Sequence, residues 1–364
     1  MNILLFVIQD TFIGGAESVL HQVSEFYVKR GHQVYVLFFL PRKYGHWEKD
    51  KSDNLHLLYG GGFVRLIKNF HSLKRITFDY SYSSLVDLTG ILGIVRRLKI
   101  IRIKAMIGRE STSIFDRYKG LGLWRKKLMY RLGYPAVDVL VCQTHYMKER
   151  LLQTLPWIEN RRKVVVIPNP IDLEQIPNHE EIDSYPLDTP FIVTAGRFIP
   201  EKGYDILINS FLPVKQKHPE LKLVILGDGA LRSTLESQIE SLGLTGDVLL
   251  PGYTKNVYPW FRMAKTCVIS SRVEGFPNVL LQMMSQNERV VSTLCAGDID
   301  KINGLITCPS NNTEALSKAI IDSLESEFFE KNRLLFDEEL HRRSIECFIN
   351  KVETTYINKY YNGL

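Results

Sequence analysis

The chain has 364 residues, 45% of them apolar and 24% charged, with a formal net charge of +6 at pH 7. That length suggests about two domains, and the composition excludes a disordered or fibrous chain. No apolar run reaches the roughly 18 residues that span a bilayer. Residues 4–8 form a short apolar run with no basic residue before it, so they read as a first core strand rather than a targeting leader. The five cysteines (Cys142, Cys267, Cys295, Cys308 and Cys347) are scattered and lack metal-ligand spacing. They read as small core residues of a chain in a reducing cytosol.

Short apolar strands alternate with amphipathic helices. NILLFVI is a strand, followed by a Gly14-Gly15 turn and a helix whose Val19, Leu20, Val23, Phe26 and Tyr27 share one face. VYVLFFL, VDVLVCQT and KVVVIPN are further strands, and near-continuous apolar runs of this kind suit parallel strands covered on both faces. Residues 175–190 are rich in proline and acids and lack periodicity, so they read as a linker. FIVTAGR then starts a second βα series that continues through LKLVILGDG, DVLLPG, TCVISS and RVVST. The predicted fold class is α/β, with two doubly wound Rossmann-like domains facing across a cleft. The expected boundaries are 1–174, a linker at 175–190, 191–345, and a C-terminal helix at 346–364 that crosses back to the first domain.

Several stretches carry candidate chemistry. Gly14-Gly15 opens the first helix, where glycines admit a ligand to the backbone and a helix N-terminus favours an anion; a plain βα turn explains them equally well. The dinucleotide pattern G-x-G-x-x-G is absent there, against a nicotinamide enzyme. Arg197 and Lys202 are two cations at a strand's carboxyl end, able to grip a diphosphate or simply solvated. Gly227-Asp228-Gly229 is a tight turn whose Asp could cap a helix beginning near Leu231. Glu274 precedes a helix entered through Gly275, Phe276 and Pro277, with Val279, Leu280 and Met283 as its buried face. It is either a first-turn acid favoured by the helix dipole or a group facing a ligand. Asp298-Ile299-Asp300 is a D-x-D triplet, which can hold a divalent ion on a sugar nucleotide; here it reads as a loop or sugar contact instead.

Charge is uneven. Residues 96–131 hold twelve bases against Glu110 and Asp116, a net +10, so the rest of the chain carries −4. Leu121, Leu123, Trp124, Leu128, Met129 and Tyr130 are interspersed with Arg125, Lys126 and Lys127. Such mixing suits an anionic membrane surface. Charge alone would also fit nucleic acid, but no nucleic-acid motif accompanies it. A solvated helix face with a buried apolar side is the plain alternative.

Gly14-Gly15-Ala16-Glu17, Pro168-Asn169-Pro170-Ile171-Asp172, Gly196-Arg197 through Lys202-Gly203, Gly227-Asp228-Gly229 and Glu274-Gly275-Phe276-Pro277 occur in this order. Together they resemble the retaining glycosyltransferases of family 4, with the GT-B fold, over nearly the whole chain. The resemblance implies a nucleoside diphosphate-sugar donor, most often a UDP-sugar, bound mainly to the second domain. By it, Arg197 and Lys202 hold the diphosphate, with Gly14 and Gly15 closing from the first domain. Glu274 faces the donor sugar, and Gly275, Phe276, Pro277, Asn278, Gln282, Gly227 and Gly252 line the donor sugar and nucleotide. It implies no bound metal or cofactor. It further implies a lipid-linked saccharide acceptor, at the inner face of the cytoplasmic membrane, in surface polysaccharide or lipopolysaccharide synthesis. A GT-B epimerase or hydrolase, or a non-catalytic sugar-nucleotide-binding relative, are the alternatives.

Two positions depart from the family pattern. Gln282 stands where a second Glu is usual near the ribose. Glu110, after Arg109, stands near the place where many relatives carry a His. Arg109 and Glu110 are therefore candidate catalytic residues of the first domain, with helix capping by Ser111 or Thr112 as the structural alternative.

Overall fold

The computed structural model describes residues 1–11, 14–50, 52–112, 114–159, 163–177, 187–327 and 329–361. Two compact units divide the chain: Met1–Asp172 with Arg343–Leu364, and Leu173–Arg342.

The first unit runs β1 (Asn2–Val7), α1 (Gly15–Lys29), β2 (Gln33–Phe38), β3 (Leu55–Tyr59), α2 (Phe63–Leu73), β4 (Thr77–Ser84), α3 (Val86–Arg97), β5 (Arg102–Glu110), α4 (Ile114–Arg117), α5 (Gly120–Gly133), β6 (Val139–Cys142), α6 (His145–Thr154) and β7 (Lys163–Val166). Its seven strands are parallel, in the order β3-β2-β1-β4-β5-β6-β7. Both sheet faces are covered, as an all-parallel sheet requires. On one face Leu66 and Phe70 of α2, Leu92 of α3 and Tyr130 of α5 pack on Phe6, Phe78 and Met106. On the other, Val23 and Tyr27 of α1 pack with Leu5, Val36 and Ile107.

The second unit runs β8 (Phe191–Ala195), α7 (Tyr204–Lys217), β9 (Lys222–Leu226), α8 (Arg232–Ser241), β10 (Val248–Gly252), α9 (Tyr258–Met263), β11 (Thr266–Ile269), α10 (Asn278–Met284), β12 (Val290–Thr293), β13 (Ile306–Cys308), α11 (Thr313–Glu325) and α12 (Glu330–Arg342). Its six parallel strands follow the order β10-β9-β8-β11-β12-β13. Ile192, Leu207, Phe211, Leu223, Val268 and Ile320 form its core. Each such fully buried aliphatic or aromatic side chain contributes about 1.5–3 kcal/mol.

The last helix, α13 (Ile345–Tyr361), belongs to the first unit. Phe348, Ile349 and Val352 join the cluster beneath α1, and Tyr27 Oη donates to Glu353 Oε1 at 2.8 Å. The chain returns to this unit at Arg343, two residues before the expected end of the second domain. Ile171 N–H donates to Arg343 O, and Ile345 N–H donates to Ile171 O. Of the expected linker, Gln175 closes a 3-10 turn that begins at Leu173, and residues 178–186 lie outside the described residues.

Candidate active site

Both sheets reverse their strand order once, between β1 and β4 and between β8 and β11. In doubly wound sheets, ligands bind beyond the carboxyl ends of the strands at this reversal. In the second unit the loops leaving β8 and β11 carry the Arg197–Lys202 and Glu274 stretches, and the fold brings these loops together. Lys202 Nζ donates to Glu274 Oε1 at 2.8 Å, with both side chains 16% exposed. Ser271 Oγ donates to the same carboxylate oxygen.

The pair rests on a stitched scaffold. Ser270 Oγ donates to Lys202 O at 2.9 Å, and Arg272 N–H donates to Glu201 O at 2.7 Å. The Arg272 guanidinium bonds both oxygens of Asp205, which depresses that carboxyl's pKa. Glu274 N–H donates to Cys295 O at 2.7 Å, and Thr293 Oγ1 donates to Ser271 O at 2.6 Å. Burial, with the Glu274 charge beside it, pushes the Cys295 thiol up to about 12, so it stays a neutral packing group.

Glycine permits the crowding. Gly203 has φ 63° and starts α7, and a Cβ there would lie 2.3 Å from Ser270 O. Gly227, with φ 136°, passes so close to the β8 loop that a Cβ would lie 1.9 Å from Gly196 O; its N–H donates to Gly252 O at 2.8 Å. Arg197 is exposed at the end of β8. Lys202 keeps two ammonium protons beyond the one given to Glu274. The rim therefore offers an ammonium and a fixed carboxylate at one place, with Arg197 exposed on the same loop.

Three details differ from the sequence reading. Asp228 does not cap α8; its Oδ1 accepts from Gly229 N–H and from Arg232 Nε. Pro277 caps α10 just ahead of its first turn, and Leu281 replaces the half-buried Val279 on the buried face. Phe276 is itself buried beside them, and Gln282 is half-buried on α10 two residues before its end. Asp298 adopts φ 64° and pairs with Lys301 at 2.7 Å, and no group of acids, His or Cys that could hold a metal occurs among the described residues.

In the first unit Gly14 caps α1, and a Cβ there would meet the Glu17 carboxylate at 2.2 Å. A buried acid thus sits against the turn expected to receive phosphate. Arg109 and Glu110 are both 3% exposed and, as adjacent strand residues, point to opposite faces of the sheet. Arg109 donates to Asn169 Oδ1 and lies 3.4 Å from Ser84 Oγ, while its Nε has no partner among the described residues. Burial pushes its pKa down to about 9, against the pull of Glu110 and Glu17.

Glu110 accepts from Tyr130 Oη at 2.7 Å and Tyr134 Oη at 2.8 Å. Burial raises its pKa despite these bonds. Its expected role facing a ligand is therefore corrected: both carboxyl oxygens are satisfied beneath α5. Arg109 is corrected to a buried group that holds the Pro168-Asn169-Pro170 turn. Lys126 is also corrected. It is mostly buried, paired with Asp87 and set 5.1 Å from the Tyr118 ring centre, whereas Trp124, Arg125 and Lys127 are exposed.

The sequence reading missed Ser271, Thr293 and the Arg272–Asp205 pair. Ser271 adjoins the Glu274 stretch and was open to notice. Arg272 and Asp205 lie 67 positions apart, so only the sheet topology joins them.

Two doubly wound parallel sheets, each with one order reversal, are the architecture expected of the GT-B class. A model described as Glycosyltransferase Family 4 matches residues 13–175, and one described as Glycosyl transferases group 1 matches residues 189–326. The chain belongs to the GT-B glycosyltransferases. An uncharacterized glycosyltransferase of Methanocaldococcus jannaschii is 29% identical over 304 residues, covering 76% of this chain and 71% of that one. The N-acetylgalactosamine-N,N'-diacetylbacillosaminyl-diphospho-undecaprenol 4-alpha-N-acetylgalactosaminyltransferase of Campylobacter jejuni is 32% identical over 167 residues, 46% of this chain and 44% of the relative. The crystal structure of the Anabaena protein HepE in complex with UDP has a TM-score of 0.77 at 16% identity, covering 98% of this chain and 99% of that one, a likeness of fold.

Proposed function

We propose that this chain is a retaining family 4 glycosyltransferase that moves a hexose or N-acetylhexosamine from a UDP-sugar to a lipid-linked saccharide during surface polysaccharide synthesis. The observation that carries the reading is the Lys202–Glu274 pair at the order reversal of the second sheet. Departure of a nucleoside diphosphate develops negative charge, and fixed cations at that point stabilise the transition state. Lys202 and Arg197 supply those cations, so the reaction needs no bound metal. When the diphosphate takes up the Lys202 ammonium, Glu274 is left facing the donor sugar, oriented by Ser271 and by its own N–H on Cys295 O. Gln282, on the helix that follows, meets the ribose.

UDP is the nucleotide bound by the HepE structure, and the C. jejuni relative acts on an undecaprenol diphosphate-linked glycan by its name. Both support the choice of donor and acceptor. Among the described residues no helix is long and apolar enough to cross a membrane. We place the chain at the inner face of the cytoplasmic membrane, held by the exposed Leu121, Trp124, Arg125 and Lys127 of α5.

A panel of UDP-, GDP- and ADP-sugars in thermal shift tests the donor, since a ligand that binds only the native state raises its apparent stability. Transfer of label from the best donor to an undecaprenol-linked glycan then tests the acceptor, with EDTA expected to leave the rate unchanged. Release of free sugar with no acceptor dependence would identify a hydrolase instead.

A further inference from the structure

Beside the Lys202–Glu274 pair stands a buried hydroxyl with no partner. Tyr204 is 3% exposed, and its Oη makes no hydrogen bond to a described residue. Buried hydroxyls are ordinarily bonded, because an orphaned one forfeits its bonds to water. Packing alone does not call for this oxygen. Tyr204 opens α7 directly after Gly203, and its ring meets the Phe198 ring edge-on at 5.5 Å between centres. Phe198 is fully buried, and a phenylalanine at 204 would make the same contact.

Geometry ties the oxygen to the pair. The point where a Cβ on Gly196 would stand lies 2.6 Å from Tyr204 Oη and 3.1 Å from Lys202 Cε, so the hydroxyl and the lysine stem share the space beside Gly196. The Lys202 ammonium, one bond beyond Cε, donates to Glu274 Oε1. Burial raises the Tyr204 pKa, the Glu274 charge raises it further, and Thr194 opposes the rise. The phenol is therefore neutral, keeps a proton to donate, and stands within electrostatic reach of the carboxylate.

A diphosphate changes what Glu274 holds. It carries more negative charge than one carboxylate and draws the ammonium on its flexible four-carbon stem. Of the two side-chain donors on Glu274 Oε1, Ser271 Oγ then remains alone. A partly buried carboxylate that loses its cation needs another donor. Tyr204 Oη, no longer flanked by the lysine stem, is the unspent donor next to it.

We propose, on the donor reading given above, that Tyr204 is a positioning residue whose hydroxyl replaces the Lys202 ammonium on Glu274 when a nucleoside diphosphate draws that ammonium away. The carboxylate then has two donors with and without ligand, and it stays in place instead of following the lysine. The unpartnered hydroxyl of the free chain is the donor held for the bound state.

Calorimetry with UDP on the wild type, Tyr204→Phe, Glu274→Ala and the double variant tests this. Tyr204→Phe is expected to bind UDP about tenfold more weakly than the wild type, in line with the loss of one hydrogen bond to a charged group. It is expected to melt no lower, because the free chain loses only an unbonded oxygen. In the Glu274→Ala background the same change is expected to alter UDP affinity by less than about twofold. With Lys202 removed the hydroxyl can reach Glu274 without ligand, so Tyr204→Phe is expected to lower the melting temperature of Lys202→Met. A Tyr204→Phe chain that binds UDP like the wild type overturns the proposal. Equal weakening with and without Glu274 would put the hydroxyl on the diphosphate and overturns it as well. A lower melting temperature for Tyr204→Phe alone would show the hydroxyl already bonded in the free chain, with the same result. A wild-type chain that binds none of UDP, GDP and ADP overturns the donor reading itself, and the role of Tyr204 with it.

Discussion

Lys202 and Glu274 lie 72 positions apart in sequence and 2.8 Å apart in space, joined by an ion pair at the one place where the second sheet reverses its strand order. Each is the other's principal charge partner in a site largely closed to water. Removing one member leaves a partly buried charge uncompensated, which costs more than the pair itself is worth. Lys202→Met and Glu274→Gln are each expected to lower stability by roughly 1–2 kcal/mol in urea titrations, with the double variant destabilised by less than the sum. Each single change is expected to slow sugar transfer by about a hundredfold or more, measured with labelled donor. Additive stability losses would show that the two side chains are not coupled.

Gly203 supports this pair by letting the β8 loop touch the β11 loop. An alanine there must adopt φ 63° and also place its Cβ 2.3 Å from Ser270 O. Gly243 has φ 67° but nothing within 4 Å of a Cβ, so it isolates the conformational part. Gly243→Ala is expected to cost about 1 kcal/mol, the usual cost of a left-handed non-glycine residue. Gly203→Ala is expected to cost at least about 2 kcal/mol more and to weaken donor binding, because Ser270 and Ser271 must move. Equal melting temperatures for the two variants would remove the close-approach argument.

The sequence made some of this legible and hid the rest for physical reasons. Strands such as β1 and β8 are continuous apolar runs because both faces of a parallel sheet are buried. β4 escaped notice because its segment, TFDYSYSS, is half polar. Ser81, Ser83 and Ser84 are nevertheless buried, and Ser83 Oγ is bonded to Thr89 Oγ1 at 3.0 Å, which lets polar residues occupy a central strand. Glu274 was recognisable from its place before a helix, yet its partner was not, since spacing along the chain says nothing about adjacency across β8 and β11. The side-chain direction of Glu110 was equally hidden: one residue of strand register decides which face it serves. The tyrosines that satisfy it lie 20 and 24 positions onward.

Burial raises the Glu110 pKa, while the two tyrosine hydroxyls, Arg109 and Lys126 oppose the rise. With the folded value above the unfolded one, the protonated carboxyl contributes stability. That contribution is complete below the ordinary carboxylate range and is lost as pH climbs through the folded value. Glu110→Gln keeps the shape and stays neutral. The variant is therefore expected to match the wild type near pH 4 and to melt higher than it at pH 8, with turnover changed by less than about tenfold because the side chain faces α5. A turnover loss of a hundredfold or more at unchanged stability would restore Glu110 to the reacting site.

Gln282 sits on α10 eight residues after Glu274, half-buried, with its backbone carbonyl taken by Ser285 Oγ at 2.8 Å. Its side-chain amide makes no bond to a described residue, so it is available to a ligand. An amide accepts through one oxygen, whereas a carboxylate accepts through two and carries charge. Charge-assisted bonds to hydroxyls exceed neutral ones by about 1 kcal/mol. Gln282→Glu is therefore expected to tighten UDP binding by roughly fivefold in calorimetry, leaving the melting temperature of the free chain unchanged. Binding that is equal or weaker would place the ribose away from α10.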